Sequence, residues 1–254
     1  MKLIEHLPFT TDQGIAERAS IGLIVLASDY TIEHEWRYIF SHFPGVSLYH
    51  SRIKNDDEVT PETLRAMEPR ITACADTFTP GTAIDVIAYG CTSATIAIGE
   101  DKVFENIHLA RPNTQCTTPI TAAFAAFDAF KAKRIGVLTP YSSEVNKLVA
   151  GFITKKGYEV PVFGSFNETQ DSVVARISPE SIKAGIQTII QHADVDCIFV
   201  SCTSVRLVNA CKSLEKLIGI PITSSNHAMA WHTLRLSSVN DTKSELGSLF
   251  EFGL

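Results

Sequence analysis

Short, mostly apolar runs alternate with amphipathic stretches along the whole chain. Residues 21–26, 46–49, 84–89 and 116–118 make a first set of such runs, and 135–139, 159–164, 197–200 and 221–223 a second. Apolar runs this short predict the strands of parallel sheets, buried on both faces. The stretches between them have helical character. Thr60-Pro61-Glu62 is a helix-start signal: a hydroxyl to cap free N–H groups, a proline where no N–H is needed, and an acid at the positive end of the helix dipole. Ser178-Pro179-Glu180 repeats it at the corresponding point of the second half. Pro69 predicts an end or a kink in the first of these helices, because it lacks a donor and clashes with the preceding turn.

The two sets overlay. The first strand of each leads, over nearly equal stretches, to Cys91-Thr92-Ser93 and to Cys202-Thr203-Ser204. A helix is expected after each cysteine, then a related phrase, Cys116-Thr117-Thr118-Pro119-Ile120 or Pro221-Ile222-Thr223-Ser224-Ser225. A single period of this length is a duplicated domain and not a solenoid. The fold class is therefore α/β: two pseudo-symmetric lobes with parallel four-stranded sheets flanked by helices and right-handed crossovers. The expected boundaries are 1–120 for the first lobe and 121–225 for the second, with 226–254 packing back on the first. No Gly-, Pro- or Ser-rich linker separates the halves, so the lobes should pack closely around an interlobe cleft that holds the active site. The tail 241–254 has weak periodicity and is expected to serve a subunit contact or to be disordered.

Composition narrows the function classes. A chain of 254 residues, 45% hydrophobic and 20% charged, can bury a substantial core as a soluble enzyme or ligand-binding protein. With 22 Lys plus Arg against 28 Asp plus Glu there is no basic excess for nucleic acid or an anionic membrane. No apolar stretch is long enough to span a bilayer, and Glu5, His6 and Asp12 interrupt any signal-peptide core, so a cytoplasmic location is expected. Six cysteines without CxxC or His-x-x-x-His spacing suggest neither a disulfide framework nor a metal. Cys74, Cys116, Cys197 and Cys211 read as small packing residues.

Cys91 and Cys202 differ from these four by context. Each ends a buried strand, where open α/β sheets place their ligands. A free thiol titrates near 8.5, and a helix N-terminus would lower that value. The neighbouring hydroxyls and N–H groups suit a carboxylate. Packing is the ordinary fate of a free cysteine, but matched placement at two strand ends favours one site with a sulfur on each side. Ser28 and Asp29 follow the first strand at the same edge; Asp29 either faces the cleft or caps the helix starting near Thr31. Tyr141, in the matching loop of the second half, either donates to a carboxylate or packs over a helix start. His227, just past a strand tip, is a further candidate, with capping by Ser225 or Asn226 as the alternative account of that segment.

Taken together, the paired strand–Cys–Thr elements, the Ser28-Asp29 loop and the Thr139-Pro140-Tyr141 loop resemble the Asp/Glu racemase superfamily, in its maleate isomerase and arylmalonate decarboxylase branch. The resemblance covers about residues 19 to 240. Ala88-Tyr89-Gly90-Cys91-Thr92-Ser93-Ala94 and the stretch from Thr223 to His232 are similar to the ectoine-utilisation protein A subgroup. The resemblance implies two α/β lobes, no cofactor, catalytic Cys91 and Cys202, and a substrate carboxylate held by Thr92, Ser93, Tyr141 and the backbone at Thr203. Arylmalonate decarboxylases have glycine where Cys91 stands, which argues against decarboxylation. Maleate isomerases carry asparagine where Asp29 stands. A carboxylate there would repel maleate and attract a substrate nitrogen, as in an acetylated diaminobutyrate from ectoine breakdown.

The leading expectation is a cofactor-independent isomerase of racemase or epimerase type, acting as a homo-oligomer on a small-molecule carboxylate. A maleate cis–trans isomerase with Cys91 as nucleophile shares the same constellation, and so does a carboxylate-binding protein without turnover. A Cys91–Cys202 disulfide is disfavoured by the gap that a substrate needs.

Overall fold

Each apolar run becomes a strand of one of two four-stranded sheets in the computed structural model, which describes residues 1–254. The first half runs β1 (Ala19–Leu26), α1 (Ile32–Phe40), β2 (Val46–Ile53), α2 (Pro61–Arg65), α3 (Ile71–Asp76), β3 (Val86–Gly90), α4 (Thr92–Ile98), α5 (Glu100–Ala110), β4 (Gln115–Thr117) and α6 (Pro119–Ala129). The second runs β5 (Arg134–Thr139), α7 (Ser143–Lys155), β6 (Glu159–Ser165), α8 (Asp171–Val174), α9 (Pro179–His192), β7 (Cys197–Val200), α10 (Cys211–Ile218), β8 (Ile222–Ser224) and α11 (Ser225–Leu236). The sheet orders are β2-β1-β3-β4 and β6-β5-β7-β8, every pair parallel. The same order twice is the duplication in three dimensions.

Strand β1 shows why the runs are continuous. Ile21, Leu23 and Val25 face one core with α1 and α11, while Ile24 and Leu26 face another with α3 and α5. Both faces of the sheet are thus covered, as a two-residue side-chain period between two helical layers requires. Helices α6 and α11, which follow β4 and β8, pack on each other between the sheets. Helix α6 gives Ile120, Ala123 and Phe127 to the second-sheet core and Ala122 and Ala126 to the first. Helix α11 is buried from Ser225 to Arg235 and lies against α1, β3 and β4.

Local signals fix the helix starts. The Thr60 and Ser178 hydroxyls accept from the N–H groups of Thr63 and Ser181. Thr118 and Ser224 cap α6 and α11 in the same way. Two expectations need correction. Helix α2 already stops at Arg65, and Pro69 sits in a separate 3-10 turn, Glu68–Arg70. The tail is not disordered: Leu246, Leu249 and Phe250 are buried in the first-sheet core, and the Arg235 guanidinium donates to the carbonyls of Val239, Asp241, Phe250 and Phe252. No helix is long and apolar enough to cross a membrane.

Candidate active site

Cys91 and Cys202, at the carboxyl ends of β3 and β7, line one cleft between the two sheets. The same wall carries Thr92, Ser93, Tyr141 and Thr203. Both cysteines are buried, 4% and 5% exposed, and neither is in a disulfide. The free space is about 20 Å³, roughly the room of one water. An antiparallel bridge between Glu58 and Gln170 joins the loop before α2 to the loop before α8.

The two cysteines are held differently. Cys91 is the N-cap of α4, its sulfur accepting from the Ala94 N–H at 3.4 Å with the Ser93 hydroxyl at 3.8 Å. No helix follows Cys202, contrary to expectation; a turn comes first, and α10 starts only at Cys211. Cys202 itself has φ of 123°, a region that costs a residue with a Cβ roughly 1–3 kcal/mol. Neighbouring bonds over-determine it. Its N–H donates to Ser225 Oγ at 2.9 Å, and Asn226 Nδ2 donates to the Thr203 carbonyl at 2.7 Å. Ser225 Oγ also pairs with Thr92 Oγ1 at 2.8 Å, and the Thr203 hydroxyl donates to the Gly90 carbonyl at 3.5 Å. The first turn of α11 therefore ties both cysteine loops together. Gly90 leaves no choice of residue, since a Cβ there would meet the Ile24 carbonyl oxygen at 2.8 Å.

A buried acid completes the brace. Glu35 of α1 accepts from the N–H groups of Leu207 and Val208 at 2.6 and 2.8 Å and from Asn226 Nδ2 at 2.7 Å. Burial pushes its carboxyl up to about 7, against the bonds from Asn226, Val208 and Leu207. The Thr31 hydroxyl adds a further tie, to the Ser204 carbonyl at 2.8 Å.

Electrostatics also departs from expectation. Burial pushes the Cys91 thiol up to about 12, outweighing the Ala94 and Ser93 bonds. Burial raises Cys202 as well, and the charge of Asp171 adds to it. Both are thiols at rest, because desolvation beside carboxylates outweighs the short helix at Cys91. The Tyr141 hydroxyl lies beside the Cys202 sulfur, and its backbone carbonyl is pinned by Asn146 and Ser165.

Three predicted residues are not part of the cleft lining, although Asp29 stands just behind it, next to the Thr203 side chain, and its charge raises both thiols. Asp29 Oδ1 accepts from the N–H groups of Thr31 and Ile32 at 2.7 and 2.8 Å, so this side chain opens α1, and burial raises its carboxyl. Ser28 stands behind the wall and donates to Asp171 Oδ2 at 2.7 Å. His227 is fully buried, bonded to the Thr223 hydroxyl and the Leu246 carbonyl and set against Phe250. Capping in this segment falls to Ser224, which frees Ser225 and Asn226 for the cysteine loops. The wall instead includes Asn55, Asp56, Glu58, Thr63 and Asp171. The helix-start signal Thr60-Pro61-Glu62 lies within the first group, and Asp171 has no comparable local signal. Glu35 is legible as an acid on the apolar stripe Ile32, Trp36, Ile39, Phe40.

Known proteins share this architecture. The arylmalonate decarboxylase family model matches residues 41–250. Maleate isomerase of Nocardia farcinica is 26% identical over 227 residues, covering 85% of this chain and 88% of its own. Arylmalonate decarboxylase of Bordetella bronchiseptica is 26% identical over 123 residues, 48% of this chain and 51% of its own. The crystal structure of maleate isomerase from Pseudomonas putida S16 superposes with a TM-score of 0.81 at 25% identity, covering 91% of this chain and 98% of that one.

Proposed function

We propose, on the premise that this chain belongs to the arylmalonate decarboxylase family, that it is an isomerase of a small carboxylate, working through Cys91 and Cys202 without a cofactor. One observation carries the reading: two thiols, one from each half of a duplicated fold, line the same cleft. In proton transfer, one sulfur as thiolate takes the proton from the carbon next to the carboxylate. The electron pair left behind spreads onto that carboxylate, and the other thiol returns a proton to the opposite face. Hydroxyls of Thr92, Ser93 and Tyr141 in the wall, with the backbone at Thr203, suit the developing negative charge. The likeness of the Cys91 and His227 segments to the ectoine-utilisation protein A subgroup supports an N-acetylated diaminobutyrate as substrate.

Relatives that bear the name maleate isomerase favour a second reading. There the Cys91 thiolate adds to a double bond, the resulting single bond rotates, and the C–S bond breaks as the double bond re-forms. Proton NMR in deuterated water separates the two, using amino acids, acetyl-diaminobutyrates and maleate. Deuterium entering at the carbon next to the carboxylate marks proton transfer, and fumarate from maleate marks addition. Equal rates in the parent and in a Cys91→Ala, Cys202→Ala double variant would sink both.

A further inference from the structure

The cleft wall is one-sided in charge. Asp56, Glu58 and Asp171 contribute carboxylates, and no lysine, arginine or histidine lines it. The hydroxyls beside the two sulfurs can serve one substrate carboxylate, but nothing in the wall offers positive charge to a second. Arg52, the nearby cation, is spent on the carbonyls of Ala27 and Asp29 and on Glu33.

Asp171 is the built member of this set. It is 5% exposed and begins α8. Ser28 Oγ of the first half donates to its Oδ2 at 2.7 Å, and Ser204 Oγ of the second half donates to its Oδ1 at 3.3 Å. Burial raises this carboxyl, and the two donated hydroxyls work against that in favour of the ionised form, which has about four acceptor sites and so keeps others for a ligand. Both halves thus hold one buried carboxylate in the wall that carries the two sulfurs. Its charge also helps hold the two thiols protonated. A positive ligand group placed there would offset that charge and make a thiolate easier to form.

We propose that Asp171 determines specificity in this cleft, selecting a monocarboxylate that carries an ammonium or N–H group over a dicarboxylate. The inference rests on reading the cleft as the substrate site, and it moves the discriminating carboxylate from Asp29 to Asp171.

Aspartate and 2,4-diaminobutyrate test it, because they differ in having a carboxylate or an aminomethyl group at the far carbon. Calorimetry at neutral pH gives the affinity ratio without turnover, and a ligand-dependent change in the alkylation rate of Cys91 and Cys202 is the check on location. The parent should bind diaminobutyrate at least about tenfold tighter than aspartate, given a charge pair near 4 Å. Asp171→Asn, which keeps the size and can still accept from a serine, should lose most of that ratio. Asp171→Glu should retain the preference, and Asp171→Ala carries the test if the asparagine variant does not fold. A parent that prefers aspartate, a parent that binds neither ligand, or an unchanged ratio in Asp171→Asn would overturn the proposal. The expected ratios in a protein that neither exchanges deuterium nor converts maleate to fumarate would overturn the isomerase reading alone.

Discussion

Cys202 is the residue at which conformation and chemistry meet. Its positive φ aims the sulfur into the cleft at the expense of backbone strain, and Ser225 and Asn226 keep it there. Glycine tolerates this region and alanine does not. Cys202→Gly should therefore be more stable in urea unfolding than Cys202→Ala by about 1 kcal/mol, with turnover lost in both. Equal stability would mean that the loop relaxes when the sulfur goes. Cys91→Ala should also abolish net turnover. If proton transfer is the chemistry, each single variant still exchanges deuterium on one face, a difference that NMR reads directly. The raised thiols add a pH expectation: alkylation of the ligand-free protein should be slow at neutral pH and accelerate as pH climbs toward the Cys91 value of about 12.

Among the elements, α1 and the start of α11 do more than fill the core. Glu35 from α1 and Ser225-Asn226 from α11 hold the backbone on both sides of the Cys202 turn. Ser225→Ala would leave the buried Cys202 N–H without an acceptor, which costs about 1–3 kcal/mol. Chemical denaturation should show that loss, together with a fall in kcat larger than any rise in KM, since the sulfur is displaced. Glu35 brings a pH dependence of known sign. Its folded value of about 7 lies above the ordinary 4.5, so between these values the folded protein holds a proton that the unfolded chain has released. Its contribution to stability is full below 4.5, falls as pH rises toward 7, and is flat above. Glu35→Gln should flatten that window in urea midpoints measured from pH 4.5 to 7.5. An unchanged slope would assign the dependence to another group.

At the scale of the molecule, α11 binds the two halves together by packing on α6, α1, β3 and β4, and the tail closes the first-sheet core. Phe250 is fully buried against Phe43 and His227, and Trp231 donates to the Phe252 carbonyl. Phe250→Ala should cost about 3–5 kcal/mol, the usual range for a buried phenylalanine. Because α11 lies between this tail and the cysteine loops, activity should fall together with stability. Loss of stability with full activity in the remaining folded fraction would show that the tail and the site are independent.

The eight strands, the paired helix starts and the placement of Cys91 and Cys202 were legible in the sequence. They depend on local chemistry: continuous apolar runs, capping hydroxyls, prolines at first helical positions, and a repeat that sets two cysteines at equivalent strand ends. Asp29 and Asp171 were not separable that way. Both are acids near loop starts, and only tertiary contact decides that one turns to the N–H groups of Thr31 and Ile32 while the other is held toward the cleft by serines from both halves. The same limit applies to the thiols, since the helix signal after Cys91 suggests a lowered value and burial among carboxylates reverses it. It applies to Ser225, Asn226 and Glu35 as well, whose partners include residues more than a hundred positions away in the chain. Periodicity and capping report a residue's neighbours in sequence; desolvation and long-range hydrogen bonding depend on its neighbours in space, and the chemistry of this cleft rests on those.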